Sequence, residues 1–167
     1  MFRGKALGKN SIQYFDTPIL NDFLQNVHLD SKLKDAVVNE SFTLQYQPQF
    51  YTGNKKLRGV EALIRWRDEE KRRMISPGVF IPLAEKNGMI LEIGDFVFCK
   101  VCDFVVENRL WEKGIEDVHV NLSVVQCMQE NLAKRLLLIM EEKKVPYNFI
   151  RLEVTETAAV ASSVSLK

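Results

Sequence analysis

An α/β fold is what the order of elements predicts, on three observations. After residue 41 the chain reads strand, strand, helices, strand, helix, strand, and then the opening of one more helix. Strands alternating with helices in this way point to a largely parallel sheet covered by helices. The link Tyr51-Thr52-Gly53-Asn54-Lys55-Lys56 between the first two strands is turn-like and too short for a parallel crossover, so those two strands pair antiparallel. A closed barrel of alternating strands and helices needs about 250 residues and eight strands, and these 167 residues supply roughly half. The expectation is an incomplete TIM-like (β/α) barrel with an antiparallel first strand.

Residues 1–16 are short, polar and broken by glycine, ending in Ile12-Gln13-Tyr14-Phe15-Asp16, a strand or a tail. A helix begins near Asp16-Thr17-Pro18, where Asp or Thr caps the first amides and proline suits the first turn. Leu20, Phe23, Leu24, Val27, Leu33, Ala36 and Val37 recur at helical spacing, carrying it to about Asn39. His28 lies near this stripe and reads as a helix-surface residue. Phe42-Thr43-Leu44-Gln45-Tyr46-Gln47 alternates apolar and polar side chains, as a strand does, and Leu57 to Trp66 is a second. A charged loop is expected over Arg67–Ile75. Ser76-Pro77 caps a helix that reaches Glu85 or Lys86 and ends at Asn87-Gly88. A longer helix is expected from about Leu91 to Trp111, a strand over Val118–Ser123, a helix over Gln126–Lys143, a strand over Phe149–Glu156, and a helix opening at Thr157.

Composition narrows the function classes. The chain is 46% hydrophobic and 27% charged with a net charge of +1. That is globular and gives no bulk electrostatic case for a nucleic acid polymer. No stretch approaches the ~20 apolar residues of a membrane segment, and Met1-Phe2-Arg3-Gly4-Lys5 lacks the apolar run of a signal peptide. A cytoplasmic location is the expectation. Cys99 and Cys102 fall on one face of a helix and read as buried thiols rather than a redox or zinc pair.

Three strands carry an oxygen-bearing side chain late in an apolar run: Glu61, Asn121 and Glu153. A carboxylate among Val and Leu is costly to bury unpaired, and a bound cation offsets that cost. Carboxylates and an amide oxygen are hard ligands, which favours Mg²⁺ or Mn²⁺ over zinc. In β/α barrels such groups gather at the C-terminal ends of strands. Asn121 alternatively caps the next helix. Glu61, Leu63 and Arg65 point to one face of their strand. Arg65 then either meets a phosphate oxygen or pairs with Glu69 or Glu70. Gln47, before Pro48, hydrogen-bonds a base edge or a backbone group. Glu156 faces away from Glu153 and supports it from behind or caps the next helix.

The ordered blocks Tyr46-Gln47-Pro48, Glu61-Ala62-Leu63-Ile64-Arg65-Trp66, Ser76-Pro77 with Phe80-Ile81-Pro82-Leu83-Ala84-Glu85, Asn121-Leu122-Ser123 and Leu152-Glu153-Val154-Thr155-Glu156 resemble the EAL domains of cyclic-di-GMP phosphodiesterases. The resemblance implies metal-dependent hydrolysis of cyclic-di-GMP to pGpG on a modified barrel. By motif position, Glu61, Asn121 and Glu153 resemble metal ligands for Mg²⁺ or Mn²⁺. Gln47, Leu63 and Arg65 resemble contacts to the dinucleotide. Gly8 to Asp16 resembles the last strand of a GGDEF domain. That implies a GGDEF-like remnant over 1–16, a linker helix over 17–40 and a truncated EAL domain over 41–167.

The family's Asp-Asp pair, in a D-D-F-G-T-G motif on the next strand, has no counterpart, and no Asp-Asp dipeptide occurs in the chain. The expectation is a phosphodiesterase fragment inactive alone. The alternatives are a non-catalytic module that binds cyclic-di-GMP or a protein, and an enzyme completed by a second polypeptide or by self-association. A half barrel also leaves an unpaired strand edge and uncovered apolar faces, which favours self-association.

Overall fold

The computed structural model describes residues 17–68 and 70–154. The strand or tail expected before Asp16, the GGDEF-like stretch, Glu156 and the helix opening at Thr157 lie outside the described residues.

Helix α1 (Thr17–Val38) buries Leu33 and Ala36 against the domain. It ends where Glu40 takes a left-handed conformation (φ 48°) and the Ser41 amide bonds back to the Ala36 carbonyl at 2.9 Å. Strands β1 (Phe42–Phe50) and β2 (Leu57–Asp68) form the antiparallel pair expected from the short turn, in register from Phe42↔Trp66 to Pro48↔Val60.

The segment expected as a charged loop is instead the return arm of a second hairpin. Strand β3 (Arg73–Ile75) pairs antiparallel with the end of β2, Trp66↔Ile75 to Asp68↔Arg73. The turn forms because Asp68 accepts the Lys71 amide at 3.1 Å and Arg72 adopts φ 48°. Lys32 of α1 reaches over to Asp68 at 3.0 Å and Glu70 at 2.5 Å, fixing the hairpin to the helix. Charge density hid a short strand whose anchor is the buried Ile75.

Helix α2 (Pro77–Asn87) starts at Ser76-Pro77 and stops at Gly88, whose φ of 85° favours a residue without a Cβ. Helix α3 (Ile90–Glu107) buries Ile90, Ile93, Val97, Phe98, Val101, Cys102 and Val105 at three- and four-residue spacing. It is shorter than expected: Arg109 turns left-handed (φ 46°), and Leu110–Lys113 form a separate 3-10 turn.

Strand β4 (Asp117–Leu122) runs parallel to β2, Gly59↔Asp117 to Ala62↔Val120. The helix expected over 126–143 is two pieces. One is a single capped turn, α4 (Val124–Cys127), and the other is α5 (Leu132–Lys143). Asn131 breaks the run, standing outside helical geometry at the N-cap of α5, a position that suits asparagine. Strand β5 (Ile150–Val154) pairs parallel with β4, Val118↔Ile150 to Leu122↔Val154.

The sheet order is β1-β2-β4-β5, with β3 attached to β2. Alternation divides its faces. Phe42, Ala62, Trp66, Val118, Val120 and Leu122 are buried in the core beside Phe80, Phe98 and Val101. Phe42, Trp66 and Phe80 meet with ring centroids 5.5–5.9 Å apart. The other face carries Gln45, Gln47, Glu61, Leu63, Arg65, Asp117, His119, Asn121, Arg151 and Glu153, whose sharing of a side follows from the registers. Cys99 and Cys102 sit on α3, and burial raises both thiols, Cys102 to about 12, as expected of inert packing groups. Among the described residues no helix is long and apolar enough to cross a membrane.

Candidate active site

Glu61, Asn121 and Glu153 come to one face of three adjoining strands, each one residue before its parallel ladder ends. Asn121 Nδ2 donates to Glu61 Oε1 at 2.7 Å, and Asn121 is the register partner of Glu153. Asn121 is exposed, and Glu61 and Glu153 are half-buried. Among the described residues, neither carboxylate is paired with a lysine or arginine; Glu61 meets the Asn121 amide and Glu153 Oε1 meets His119 Nδ1. Nor do three His, Cys, Asp or Glu side chains gather closely enough there to hold an ion by themselves. A cation site at this place therefore needs the Asn121 oxygen, and two carboxylates with an amide oxygen are a donor set suited to a hard divalent ion.

Gln47 lies opposite Glu61 on β1, on the same face, and is exposed. Arg65 does not pair with Glu70, which Lys32 holds, and Glu69 lies outside the described residues. Its Nε donates to Gln45 Oε1 at 2.8 Å and its Nη1 to the Ile64 carbonyl at 3.0 Å. The guanidinium is thus oriented by neutral groups and keeps its charge uncompensated by them.

A cavity of about 360 Å³ opens beside these groups, lined by Leu63, Arg65, Ile81, Pro82, Glu85 and Asn121 among others. It lies where β2 and β4 part: their ladder ends at Ala62↔Val120, while β2 continues to Asp68. The floor of the gap is tied by Ser123. Its Oγ donates to Glu85 Oε1 at 2.5 Å and accepts from the Val125 amide at 3.2 Å, while Gln126 Oε1 accepts from the Ser123 amide at 3.0 Å. This capping box starts α4 and also fastens α2 to the end of β4.

Sequence reasoning missed the residues beneath the cluster. Asp117 is 1% exposed. Its Oδ2 takes Arg58 Nη2 at 2.9 Å and Arg151 Nε, and its Oδ1 lies 3.1 Å from His119 Nε2. Burial works to raise the Asp117 carboxyl, but the Arg151 hydrogen bond and the Arg58, Arg151 and His119 charges outweigh it and hold the group below the usual carboxylate range. His119 was findable: it stands two residues before Asn121, so strand parity puts both on one face. Gln45 was findable in the same way from Gln47.

The EAL domain family model matches residues 30–167. The chain belongs to the EAL domain family. It is 31% identical over 163 residues to the bifunctional diguanylate cyclase/cyclic di-GMP phosphodiesterase MucR of Pseudomonas aeruginosa, covering 96% of this chain and 23% of that protein. It is likewise 31% identical over 163 residues to the cyclic di-GMP phosphodiesterase NbdA of the same organism, covering 95% of this chain and 20% of that one. Among solved structures, the PaMucR phosphodiesterase in complex with c-di-GMP superposes with a TM-score of 0.69 at 33% identity, over 84% of this chain and 56% of that one. The cGMP-bound form of the EAL enzyme Bd1971 gives 0.73 at 25% identity, over 87% and 41%. The chain therefore spans less than a quarter of these two relatives and about half of these solved chains. Its α/β fold, with the antiparallel β1–β2 pair, is part of the TIM-like barrel of the EAL domain.

Proposed function

We propose that this EAL domain segment binds cyclic-di-GMP together with Mg²⁺ or Mn²⁺ where the parallel ladders of β2, β4 and β5 end, and that these 167 residues alone do not hydrolyse it. The observation that carries the reading is the convergence of Glu61, Asn121 and Glu153 beside the cavity bounded by Leu63 and Arg65. Glu61, Asn121 and Glu153 would hold the cation. When bound, a divalent ion polarises a phosphate oxygen and lowers the pKa of an attached water. Arg65, oriented by Gln45 and the Ile64 carbonyl, is placed to hold a phosphate oxygen through its planar fork. The mostly apolar cavity suits a planar base, and Gln47 offers an amide to a base edge or to the ribose-phosphate chain.

Hydrolysis to pGpG needs water-activating carboxylates beyond Glu61 and Glu153, and no Asp-Asp pair is present in the sequence to supply them. Groups that act together at a metal site lose most of their effect when part is removed. The same reading treats residues 17–40 as a linker helix leading into the EAL segment, with a GGDEF-like stretch ahead of it. Leu152 and Val154 are 46% and 54% exposed on the face where β4 buries Val120 and Leu122. This apolar strip supports self-association, which sedimentation velocity at micromolar concentration would register as species heavier than the monomer.

Calorimetric titration of the chain with cyclic-di-GMP in Ca²⁺, paired with incubation in Mn²⁺ and chromatography for pGpG, tests the proposal. Saturable binding that Arg65→Ala weakens, with no pGpG formed, is the expected result. Sustained turnover would remove the claim of inactivity, and turnover insensitive to Glu61→Ala would remove the cation site as well. Absence of binding would remove the whole reading.

A further inference from the structure

We propose that His119 is a positioning residue for Glu153, holding one carboxylate oxygen so that the other is turned toward Glu61 and Asn121. The proposal rests on the reading of those three residues as a cation site, and adds a residue that acts through one of them.

The geometry is a continuous chain of contacts running up the polar face. Arg58 and Arg151 clamp Asp117, Asp117 Oδ1 faces His119 Nε2 at 3.1 Å, and His119 Nδ1 meets Glu153 Oε1. Carboxylate oxygens only accept, so the contact with Glu153 is made through the Nδ1 proton of the tautomer that carries it. The ring lies between the carboxylates of Asp117 and Glu153, and its side chain is 9% exposed. The Glu153 side chain is 44% exposed, and a glutamate in that setting loses rotamer freedom when it is fixed. A buried imidazole packed between two carboxylates provides part of that ordering before any ion arrives. It takes one of about four lone-pair positions on the carboxylate, leaving Oε2 for a ligand. Hydrogen-bond partners of metal ligands typically change metal affinity by about 10–100-fold when removed.

The test uses the full chain and Mn²⁺ alone as the probe, with free Mn²⁺ followed by electron paramagnetic resonance. His119→Ala is expected to weaken Mn²⁺ binding by about 10–100-fold. His119→Gln, which keeps an N–H donor of similar reach, should recover most of the loss, which a purely space-filling role would not produce. Mn²⁺ binding by folded His119→Ala equal to wild type, with Glu153→Ala impaired, overturns the proposal. Equal binding by wild type and Glu153→Ala instead shows that the cation reading has failed, and the positioning role falls with it. A second measurement needs no His119 variant. In the metal-free chain, long-range proton–nitrogen spectra should show a hydrogen-bonded Nδ1 proton on His119 that moves upfield in Glu153→Gln. A ring resonance unchanged by that substitution overturns the contact on which the proposal depends.

Discussion

Where the parallel ladders begin, Asp117 meets Arg58, Arg151 and His119, whereas toward their far end Glu61 meets the amide of Asn121 and Glu153 meets one edge of an imidazole. Both sets lie on the same polar face of the same sheet. At the lower end the chain supplies its own cations to a carboxylate that is 1% exposed. At the upper end, among the described residues, it brings no lysine or arginine to Glu61 or Glu153. The lower end is thus closed by paired charges and the upper end open, and the proposed cation site at the open end follows the division between stability and function along the strand axis that barrel enzymes show.

The largest expected effect probes the closed end. Asp117→Ala removes the shared partner of two arginines and a histidine, and should cost about 2–3 kcal/mol in urea unfolding. That is at or below the lower end for a broken buried pair, because the arginines are partly exposed and re-solvate. Since the Asp117 carboxyl titrates lower in the folded chain than in the unfolded one, its contribution is complete above the unfolded value of about 3.9. It is lost as pH falls below that through the folded value. A melting-temperature profile against pH should therefore flatten on the acid side in Asp117→Asn. An Asp117→Ala cost no larger than that of Glu61→Gln would erase the contrast between the ends.

Gly59→Ala is next. A Cβ at Gly59 would run into the Asp117 side chain and come within 2.7 Å of its backbone oxygen. Overpacking of this kind costs about 1–3 kcal/mol. Thermal unfolding unchanged by the methyl group would mean that the closed end is looser than its contacts indicate. The smallest stability effect belongs to the open end: Glu61→Gln should stay within about 0.5 kcal/mol of wild type. The same variant should lose Mn²⁺ binding in calorimetry, so that stability and ligand affinity move independently there.

Much of this was legible in the residues. Alternation from Phe42 to Gln47 and from Val118 to Asn121 gave both strands and their faces, and the six-residue link gave the hairpin's direction. Parity along β2 put Glu61, Leu63 and Arg65 together. What stayed hidden depended on partners distant in sequence. The β3 strand is only Arg73–Ile75, held by Lys32 some forty residues earlier. The helix over 126–143 was broken by Asn131, an ordinary polar residue on a periodic pattern. Asp117 opens its strand beside a turn, where an acidic residue is usually solvated; only the register with Gly59 and the reach of Arg151 show it to be enclosed. Nothing local to Arg65 shows its partner, because Gln45 is twenty residues away and meets it only across the hairpin.

The parting of β2 from β4 has a further consequence. Along one edge β2 pairs with β4 up to Ala62 and with β3 from Trp66 onward, while its other edge stays with β1 from Leu57 to Trp66. Leu63, Ile64 and Arg65 therefore form a window of unzipped main chain that borders the cavity. The opening follows a change of neighbour in the hydrogen-bond ladder, and small residues such as Gly78 and Gly94 line it. Its mouth is therefore set by strand pairing and its depth by the residues of the helices that face it.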